Sequence, residues 1–167
     1  MPGGIQPGTV ATSANSKQSE EKHTRLVAEV VQSMGPDWGL KKSITIAEIT
    51  GHQNEYSRKA NGNSQEWNSD GGFVYYKGKL VGVCENKWQT NRENACERAF
   101  RYLAIFEGRQ MFVSCEGPGF KKVDGGGSTG PTIDMLRFAG ATVVENVSDE
   151  AEYRRHLKQW FESLKSV

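Results

Sequence analysis

The stretch that decides the fold runs from Ser69 to Gln89 and reads SDGGFVYYKGKLVGVCENKWQ. Two runs rich in valine and aromatic residues flank Lys77-Gly78, and a two-residue connection with glycine is typical of a tight β-hairpin. Asp70, Glu85 and Lys87 interrupt this pattern with charge, which is costly in the interior of a sheet. We therefore expect this hairpin to lie at the centre of a sheet and its three charged residues to form a functional site.

The charged residues are expected to converge on one face of the hairpin. If the turn has two residues and no bulge intervenes, the ladder places Asp70 directly opposite Glu85, and Lys87 follows on the same face. Two facing carboxylates repel each other unless a cation lies between them, and Mg²⁺ accepts one or two carboxylates together with water and phosphate oxygens. A salt bridge at a sheet edge is the alternative, although the apolar residues around Leu80 favour a central strand.

Composition bounds the class of protein. The 167 residues carry a formal net charge of +1, and they are expected to form one domain, residues 17–167, after a disordered tail, residues 1–16. No apolar run has the length of a membrane span and the start lacks the apolar core of a secretory signal, so we expect a cytoplasmic protein with no membrane partner. Three cysteines without C-x-x-C spacing (Cys84, Cys96 and Cys115) are expected to be buried free thiols.

The remaining pattern predicts an α/β fold in which helices flank a central mixed β-sheet, because strands alternate with helices after the hairpin. A polar, turn-rich segment over residues 51–69 is expected to be a long loop. The expected elements around it and the hairpin are a helix from Lys17 to Met34, a strand through Ile44, Ile46 and Glu48, a helix through ENACERAFRYLAIFEG, a strand QMFVSC, a short helix from Pro131, a strand ATVVEN, and a last helix capped by Ser148.

The segment NACER follows the hairpin at the expected start of a helix. Asn94 and Arg98 are four residues apart, so they share a helix face. Asparagine can pair with adenine through two hydrogen bonds, and arginine commonly reads purine edges in the major groove of DNA. Taken alone, the segment is more typical of a solvated, capped helix start than of a DNA-reading surface.

The pattern SDGG…ENK…NACERAFRYL…MFVSCEGPGF resembles the EcoRI-like type II restriction endonucleases of the PD-(D/E)xK superfamily, which carry PDGG…E-A-K, N-A-x-E-R and E-G-x-x-F in the same order. The match covers roughly Asp70 to Phe120, and it implies a PD-(D/E)xK core for the domain of residues 17–167. It implies that Asp70 and Glu85 are Mg²⁺ ligands, with Mn²⁺ as a substitute, and that Lys87 is the catalytic lysine. It also assigns base recognition to Asn94, Ala95, Glu97 and Arg98.

The function implied by the resemblance is Mg²⁺-dependent hydrolysis of double-stranded DNA at a short palindrome containing AATT, with 5′-phosphate ends. Symmetric recognition implies a homodimer, and a restriction enzyme of a bacterium, archaeon or phage implies a DNA methyltransferase that protects the same site. The alternatives are a structure-specific repair or junction-resolving nuclease of the same fold, a DNA-binding module without catalysis, and an α/β protein with a fortuitous salt bridge.

Two departures limit what the resemblance assigns. Ser69 stands in place of the proline of the motif, and only six residues separate Lys87 from Asn94, a shorter connection than in the EcoRI-like enzymes. The outer base pairs of the site therefore have no assignment. Further candidate DNA contacts are Arg58, Lys59, Gln89, Lys121 and Lys122, and candidates for a third acidic group beside the metal are Glu29, Glu48 and Glu116.

Overall fold

The computed structural model describes residues 13–50, 66–88, 97–116, 129–145, 147 and 149–167, and for some of these, including Lys87, Glu97 and Arg98, it describes the backbone alone. The elements in chain order are α1 (Ser13–Ser33), β1 (Trp38–Thr45), α2 (Ile46–Thr50), β2 (Glu66–Tyr76), β3 (Lys79–Trp88), α3 (Glu97–Tyr102), a 3₁₀ turn (Gly108–Gln110), β4 (Met111–Glu116), α4 (Thr129–Phe138), β5 (Thr142–Glu145) and α5 (Glu150–Leu164).

The five strands form one mixed sheet in the order β1-β2-β3-β4-β5. β2 is antiparallel to both of its neighbours, β1 and β3, whereas β3, β4 and β5 run parallel to one another. Parallel neighbours need a crossover connection, and α3 and α4 lie in the two connections concerned. The predicted α/β class is confirmed, and the strand that carries Glu85 is central, as its apolar residues on both faces indicated.

Helices cover both faces of the sheet, each over its own apolar layer. One layer consists of α1, α5 and the residues beneath them: Leu26, Val27, Val30, Val31, Trp38, Val74, Val81, Cys84, Phe112, Val144, Tyr153, Leu157, Trp160, Phe161 and Leu164. The opposite layer lies under α3 and α4: Ile44, Phe73, Val83, Ala99, Tyr102, Phe106, Met111, Val113, Cys115, Ile133, Leu136, Ala141 and Val143. Since full burial of one such aliphatic or aromatic side chain contributes about 1.5–3 kcal/mol, these layers hold the helices on the sheet.

Two of the three cysteines are confirmed as buried free thiols. They are Cys84 on the α1 and α5 face and Cys115 on the α3 and α4 face, while Cys96 lies outside the described residues. Burial raises the pKa of the Cys84 thiol well above its usual value, and the neighbouring Glu85 adds to the rise. A thiol held in its neutral form is unreactive, which fits a packing role for Cys84.

The hairpin has the predicted turn but a shifted register. Lys77 and Gly78 both have positive φ, 51° and 79°, as a type I′ turn requires. An extra residue, Val81, bulges from β3 between the partners of Val74 and Tyr75. The ladder then ends at the pair Gly72 and Cys84, so the predicted direct pairing of Asp70 with Glu85 is wrong.

A capping box explains why the expected strand through Ile46 and Glu48 is a strand only as far as Thr45. The backbone N–H of Glu48 donates to the Thr45 hydroxyl at 3.0 Å, and the Thr45 N–H donates to the Glu48 carboxylate at 2.7 Å. This reciprocal pair satisfies two of the N–H groups that a helix start leaves without partners, so the chain turns into α2.

The other differences concern element ends. α1 begins at Ser13, four residues before the expected Lys17. Once the apolar face farther along the helix is packed, polar residues can extend the helix toward its N-terminus. Residues 1–12 of the expected disordered tail lie outside the described part. The expected loop over residues 51–69 overlaps β2, which begins at Glu66, and its residues 51–65 are also outside the description. α3 ends at Tyr102, ahead of the glycine that was expected to stop it.

The last helix is capped by Asp149, whose side chain accepts from the N–H of Ala151 at 2.9 Å, whereas the expected cap, Ser148, lies outside the described residues. Among the described helices, none has the length and the apolar run needed to cross a membrane.

Candidate active site

Glu85 is a buried carboxylate near the carboxyl end of the central strand. Glu85 is only 1% exposed to solvent, and its backbone pairs with that of Val113 in β4. The Oε2 atom lies 2.9 Å from the hydroxyl of Tyr102 and 3.1 Å from the hydroxyl of Ser69. Hydroxyl groups that donate to a carboxylate stabilise its charged form, so β2 and α3 together orient this side chain.

The same two hydroxyls tie the surrounding backbone to the carboxylate. Tyr102 also lies 2.8 Å from the carbonyl oxygen of Asn68, and the Ser69 hydroxyl contacts the carbonyl oxygen of Cys84. Each hydroxyl has one hydrogen, so it is shared between a carbonyl and Glu85. The position of Glu85 therefore depends on the local course of β2.

Asp70 lies in an irregular part of β2. The pairs that flank it join Lys41 to Phe73 and Ser43 to Asn68, so residues 69–72 of β2 face a single residue of β1. Such an insertion expels side chains from the regular ladder, and bulges of this kind occur beside active sites.

Two glycines make the insertion sterically possible. A Cβ atom on Gly71 would lie 2.5 Å from the Cβ of Cys84, which is too close for any side chain. Gly72 has a φ of +105°, a conformation that side chains disfavour. The two glycines that follow Asp70 are thus required by the shape of the strand.

A cavity of about 540 Å³ lies beside Asp70, between β2 and α1. Its lining combines carboxylates with cationic side chains and consists of Glu21, Thr24, Arg25, Ala28, Lys42, Asn68, Ser69 and Asp70. Glu21, Arg25 and Lys42 are exposed to solvent. An arrangement of this kind suits an anionic ligand that arrives with a divalent cation, because the carboxylates meet the cation and the basic groups meet the anion.

Glu21 is the acidic residue of this cavity lining that the sequence analysis did not single out. It lies three residues before Thr24 and four before Arg25, so the helical period places all three on one face of α1. The helical period could be recognised in the sequence, but the sequence did not show which face of α1 contacts β2. Without that face, the acidic residue of α1 that lines the cavity could not be identified.

The acidic candidates Glu29 and Glu48 are engaged elsewhere. Glu29 makes ion pairs with Arg154 and with Arg25, the latter at 3.1 Å, and these contacts, led by Arg154, lower the pKa of its carboxyl group. Glu48 caps α2 and accepts from Lys41 at 3.3 Å. Neither lines the cavity beside Asp70, whereas the side chain of the third candidate, Glu116, lies outside the description.

A second cavity, of about 340 Å³, opens on the α3 side of the same strand. It is lined by Glu66, Trp67, Asn68, Arg101 and Tyr102. Asn68 lines both cavities, and Tyr102 joins this one to Glu85 through its hydroxyl group. The start of β2 therefore lies between two concave surfaces. Asp70 lines one of them, and Glu85 contacts Tyr102, which lines the other.

Most of the predicted DNA-contacting residues are not described. Lys87 has its backbone in β3, paired with Cys115, and Glu97 and Arg98 begin α3, but their side chains are outside the description. The rest, Asn94, Ala95, Gln89, Arg58, Lys59, Lys121 and Lys122, lie wholly outside the described residues. Their roles stay predictions.

The donor set fits a hard divalent cation. Within the described residues there is no group of three or more histidine, cysteine or acidic side chains arranged to hold a metal ion. Mg²⁺ does not need such a group, since one or two carboxylates with water and phosphate oxygens complete its shell. As the predicted ligands, Asp70 and Glu85 would supply carboxylate oxygens and no soft ligand, which suits Mg²⁺ or Mn²⁺ better than zinc or copper.

Comparisons with protein-family models, with curated proteins and with solved structures found no match for this chain. The resemblance to EcoRI-like endonucleases therefore depends on the short motifs between Asp70 and Phe120, and the chemistry of the site depends on the contacts of its own residues.

Proposed function

We propose that the chain is an EcoRI-like type II restriction endonuclease, a Mg²⁺-dependent enzyme of the PD-(D/E)xK class that hydrolyses DNA at a short palindrome containing AATT and leaves 5′-phosphate ends. The observation that carries this proposal is the burial of Glu85 in the central strand, with Oε2 at hydrogen-bonding distance from two hydroxyls. A salt bridge at a sheet edge, the main alternative for the D…E-x-K pattern, would leave the carboxylate exposed to water.

Burial weighs against a bystander role because it is expensive. Taking a carboxylate out of water costs several kcal/mol even after the protein relaxes, and ionisable groups kept at such a cost concentrate at functional sites. Here the strand that carries Glu85 meets a glycine-dependent bulge that carries Asp70. Both features lie at the same end of the β2-β3 hairpin, where the sequence motif predicts the metal.

Each residue has a defined part in the proposed reaction. Asp70 and Glu85 would hold Mg²⁺, and the chemistry that the metal supplies is neutralisation of charge on the phosphate and acidification of a water molecule. Ser69 and Tyr102 keep Glu85 oriented. Lys87 would position or deprotonate the attacking water, and Lys42 would contact the DNA backbone from the wall of the cavity.

Recognition and assembly follow from the same proposal. Glu97 and Arg98 at the start of α3, together with Asn94 and Ala95, which precede it in the sequence, would read the inner base pairs. A palindromic site is read by a symmetric protein, so the enzyme would act as a homodimer, and its host would need a methyltransferase specific for the same sequence.

The proposal is tested by digestion of a fully sequenced plasmid with the purified full-length protein, followed by sequencing of the fragment ends. With Mg²⁺ we expect discrete double-strand breaks with 5′-phosphate ends at sites containing AATT. Matched duplexes that contain TTAA in place of AATT should stay intact, and EDTA should stop all cleavage.

The other outcomes separate the alternatives. Cleavage of branched junctions in preference to any plasmid sequence would replace the restriction assignment with a junction-resolving nuclease. Specific binding without cleavage in Mg²⁺ or Mn²⁺ would indicate a DNA-binding module. Absence of both would overturn the proposal.

A further inference from the structure

A row of buried polar side chains runs through the sheet face opposite to Glu85, beneath α1 and α5. Its centre is Asn86, the middle residue of the ENK motif, which is fully buried. The Asn86 Oδ1 atom accepts from the hydroxyl of Ser114 at 2.7 Å, and that hydroxyl lies 3.1 Å from Nδ1 of His23. The Asn86 Nδ2 atom donates to the hydroxyl of Thr24 at 3.2 Å.

The row ends on the backbone of Asp70. The Thr24 hydroxyl accepts from Asn86 and donates to the carbonyl oxygen of Asp70 at 2.7 Å. If Nδ1 of His23 carries the ring proton and donates to Ser114, each hydrogen bond in the row donates toward the next group, from His23 to Asp70. Since His23 also stacks on Tyr153 of α5, with ring centroids 4.7 Å apart, the far end of the row is fixed in the core.

This support is placed where the sheet itself supplies little. Residues 69–72 face only Lys42 of β1, and the last ladder pair with β3 is Gly72 with Cys84, so neither ladder defines the course of the backbone at Asp70. A buried amide such as Asn86 is costly unless its hydrogen bonds are made, and apolar residues would fill the same volume without that cost. A polar residue at this position is explained if its hydrogen bonds hold the bulge.

We propose that Thr24 and Asn86 are positioning residues, which hold the Asp70 carbonyl and thereby fix the carboxylate of Asp70 for metal binding. The inference deepens the proposed function and rests on it. The Thr24 hydroxyl contacts the backbone carbonyl of Asp70, and Asn86 acts by holding Thr24. The two carboxylates of the site are then held from opposite faces of the sheet, Glu85 by Ser69 and Tyr102 and Asp70 by this row.

The test uses three variants of the full chain. Thr24→Val removes the hydroxyl and keeps the branched shape, and Thr24→Ser keeps the hydroxyl. Ser33→Ala is the matched control, because it removes a hydroxyl that bonds a backbone carbonyl at the other end of the same helix, Val30 O at 2.7 Å. Two quantities are measured: the Mg²⁺ concentration that gives half-maximal cleavage, and amide hydrogen exchange over residues 69–73 in the metal-free protein.

We expect Thr24→Val to raise the half-maximal Mg²⁺ concentration by about tenfold or more, the usual effect of losing a group that orients a metal ligand. Exchange over residues 69–73 should accelerate in this variant while exchange in β4 stays unchanged. Thr24→Ser and Ser33→Ala should behave like the unsubstituted protein in both measurements.

Unchanged Mg²⁺ dependence and unchanged exchange in Thr24→Val would overturn the inference. Faster exchange throughout the chain, with the same Mg²⁺ dependence, would also overturn it, because that result describes a purely structural role. If the unsubstituted protein shows no cleavage at all, the proposed function fails, and the exchange measurement still decides whether Thr24 holds the bulge.

Discussion

Two glutamates, Glu85 and Glu29, show how differently one side chain can be used in this molecule. Glu29 lies on α1 with 40% of its side chain exposed, between Arg25 and Arg154, in a group of ion pairs that Arg25 extends to Glu150. Glu85 is 1% exposed, and its Oε2 atom lies against hydroxyl groups of β2 and α3.

The two arrangements differ in the free energy needed to remove the carboxylate from water. An exposed ion pair is screened by water and salt and contributes little to stability, so many such pairs form on any surface. A buried carboxylate loses its hydration, and partners must be arranged around it. The surface group around Glu29 therefore carries little functional information, whereas the arrangement around Glu85 needs a reason, and metal binding provides one.

The largest expected effect comes from Glu85→Gln, which keeps the shape and removes the charge. Cleavage should fall by more than the roughly 10–100-fold that is typical when a group behind a metal ligand is lost, because the charge of the proposed ligand itself is removed. The free energy of unfolding should stay the same or rise, since a neutral amide costs less to bury. Cleavage rates and urea unfolding measure the two quantities.

The control for Glu85→Gln is Glu162→Gln, which neutralises an exposed carboxylate paired with Lys165 at 2.9 Å on α5. It should cleave at the unsubstituted rate. Cleavage by Glu85→Gln at that same rate would remove Glu85 from the metal site and would reduce the comparison with Glu29 to a difference in packing.

A smaller loss is expected from Tyr102→Phe, which removes one of the two hydroxyls beside Glu85 and leaves the ring in place. The half-maximal Mg²⁺ concentration should rise about 10–100-fold. The free energy of unfolding should fall by about 1 kcal/mol, the usual net value of a hydrogen bond. Metal titrations of cleavage and urea unfolding separate the two effects.

Tyr75→Phe is the matched control, because Tyr75 is half-buried and packs against the same apolar layer as Tyr102. It should leave the Mg²⁺ dependence unchanged. An equal shift in both variants would mean that the loss reflects packing of the layer and has no connection with Glu85.

The sequence predicts the elements of the site better than their register. The turn at Lys77-Gly78 has a local signal, because positive φ favours glycine, and the central position of β3 follows from its apolar residues on both faces. The bulge at Val81 has only an indirect signal. The isolated Gly82 marks an irregular strand, but valine is an ordinary strand residue, and nothing in the sequence identifies Val81 as the extra residue. A single extra residue was enough to displace the expected partner of Asp70.

Two further features carried signals that were readable in retrospect. The glycine pair after Asp70 marks a strand irregularity, and Thr45 with Glu48 forms the T-x-x-E pattern of a capping box. The contribution of Glu21 could not be read, because the rotation of α1 over the sheet is a tertiary property. Local features such as turns, strand irregularities and helix caps could therefore be predicted from the sequence, whereas contacts between elements distant in the chain could not.

The smallest expected effect comes from Glu29→Gln, the surface counterpart of Glu85→Gln. Arg154 and Arg25 lower the pKa of Glu29 in the folded protein, so its carboxylate stabilises the fold at neutral pH and loses this contribution as the pH falls below its usual value of 4.5. Urea midpoints of the variant and of the unsubstituted protein should differ slightly at pH 7 in low salt, and the difference should shrink in acid and in high salt. Cleavage should be retained, because Glu29 does not line the cavity beside Asp70. Loss of cleavage with no change in stability would instead make Glu29 a part of the active site, and burial would no longer separate the two glutamates by function.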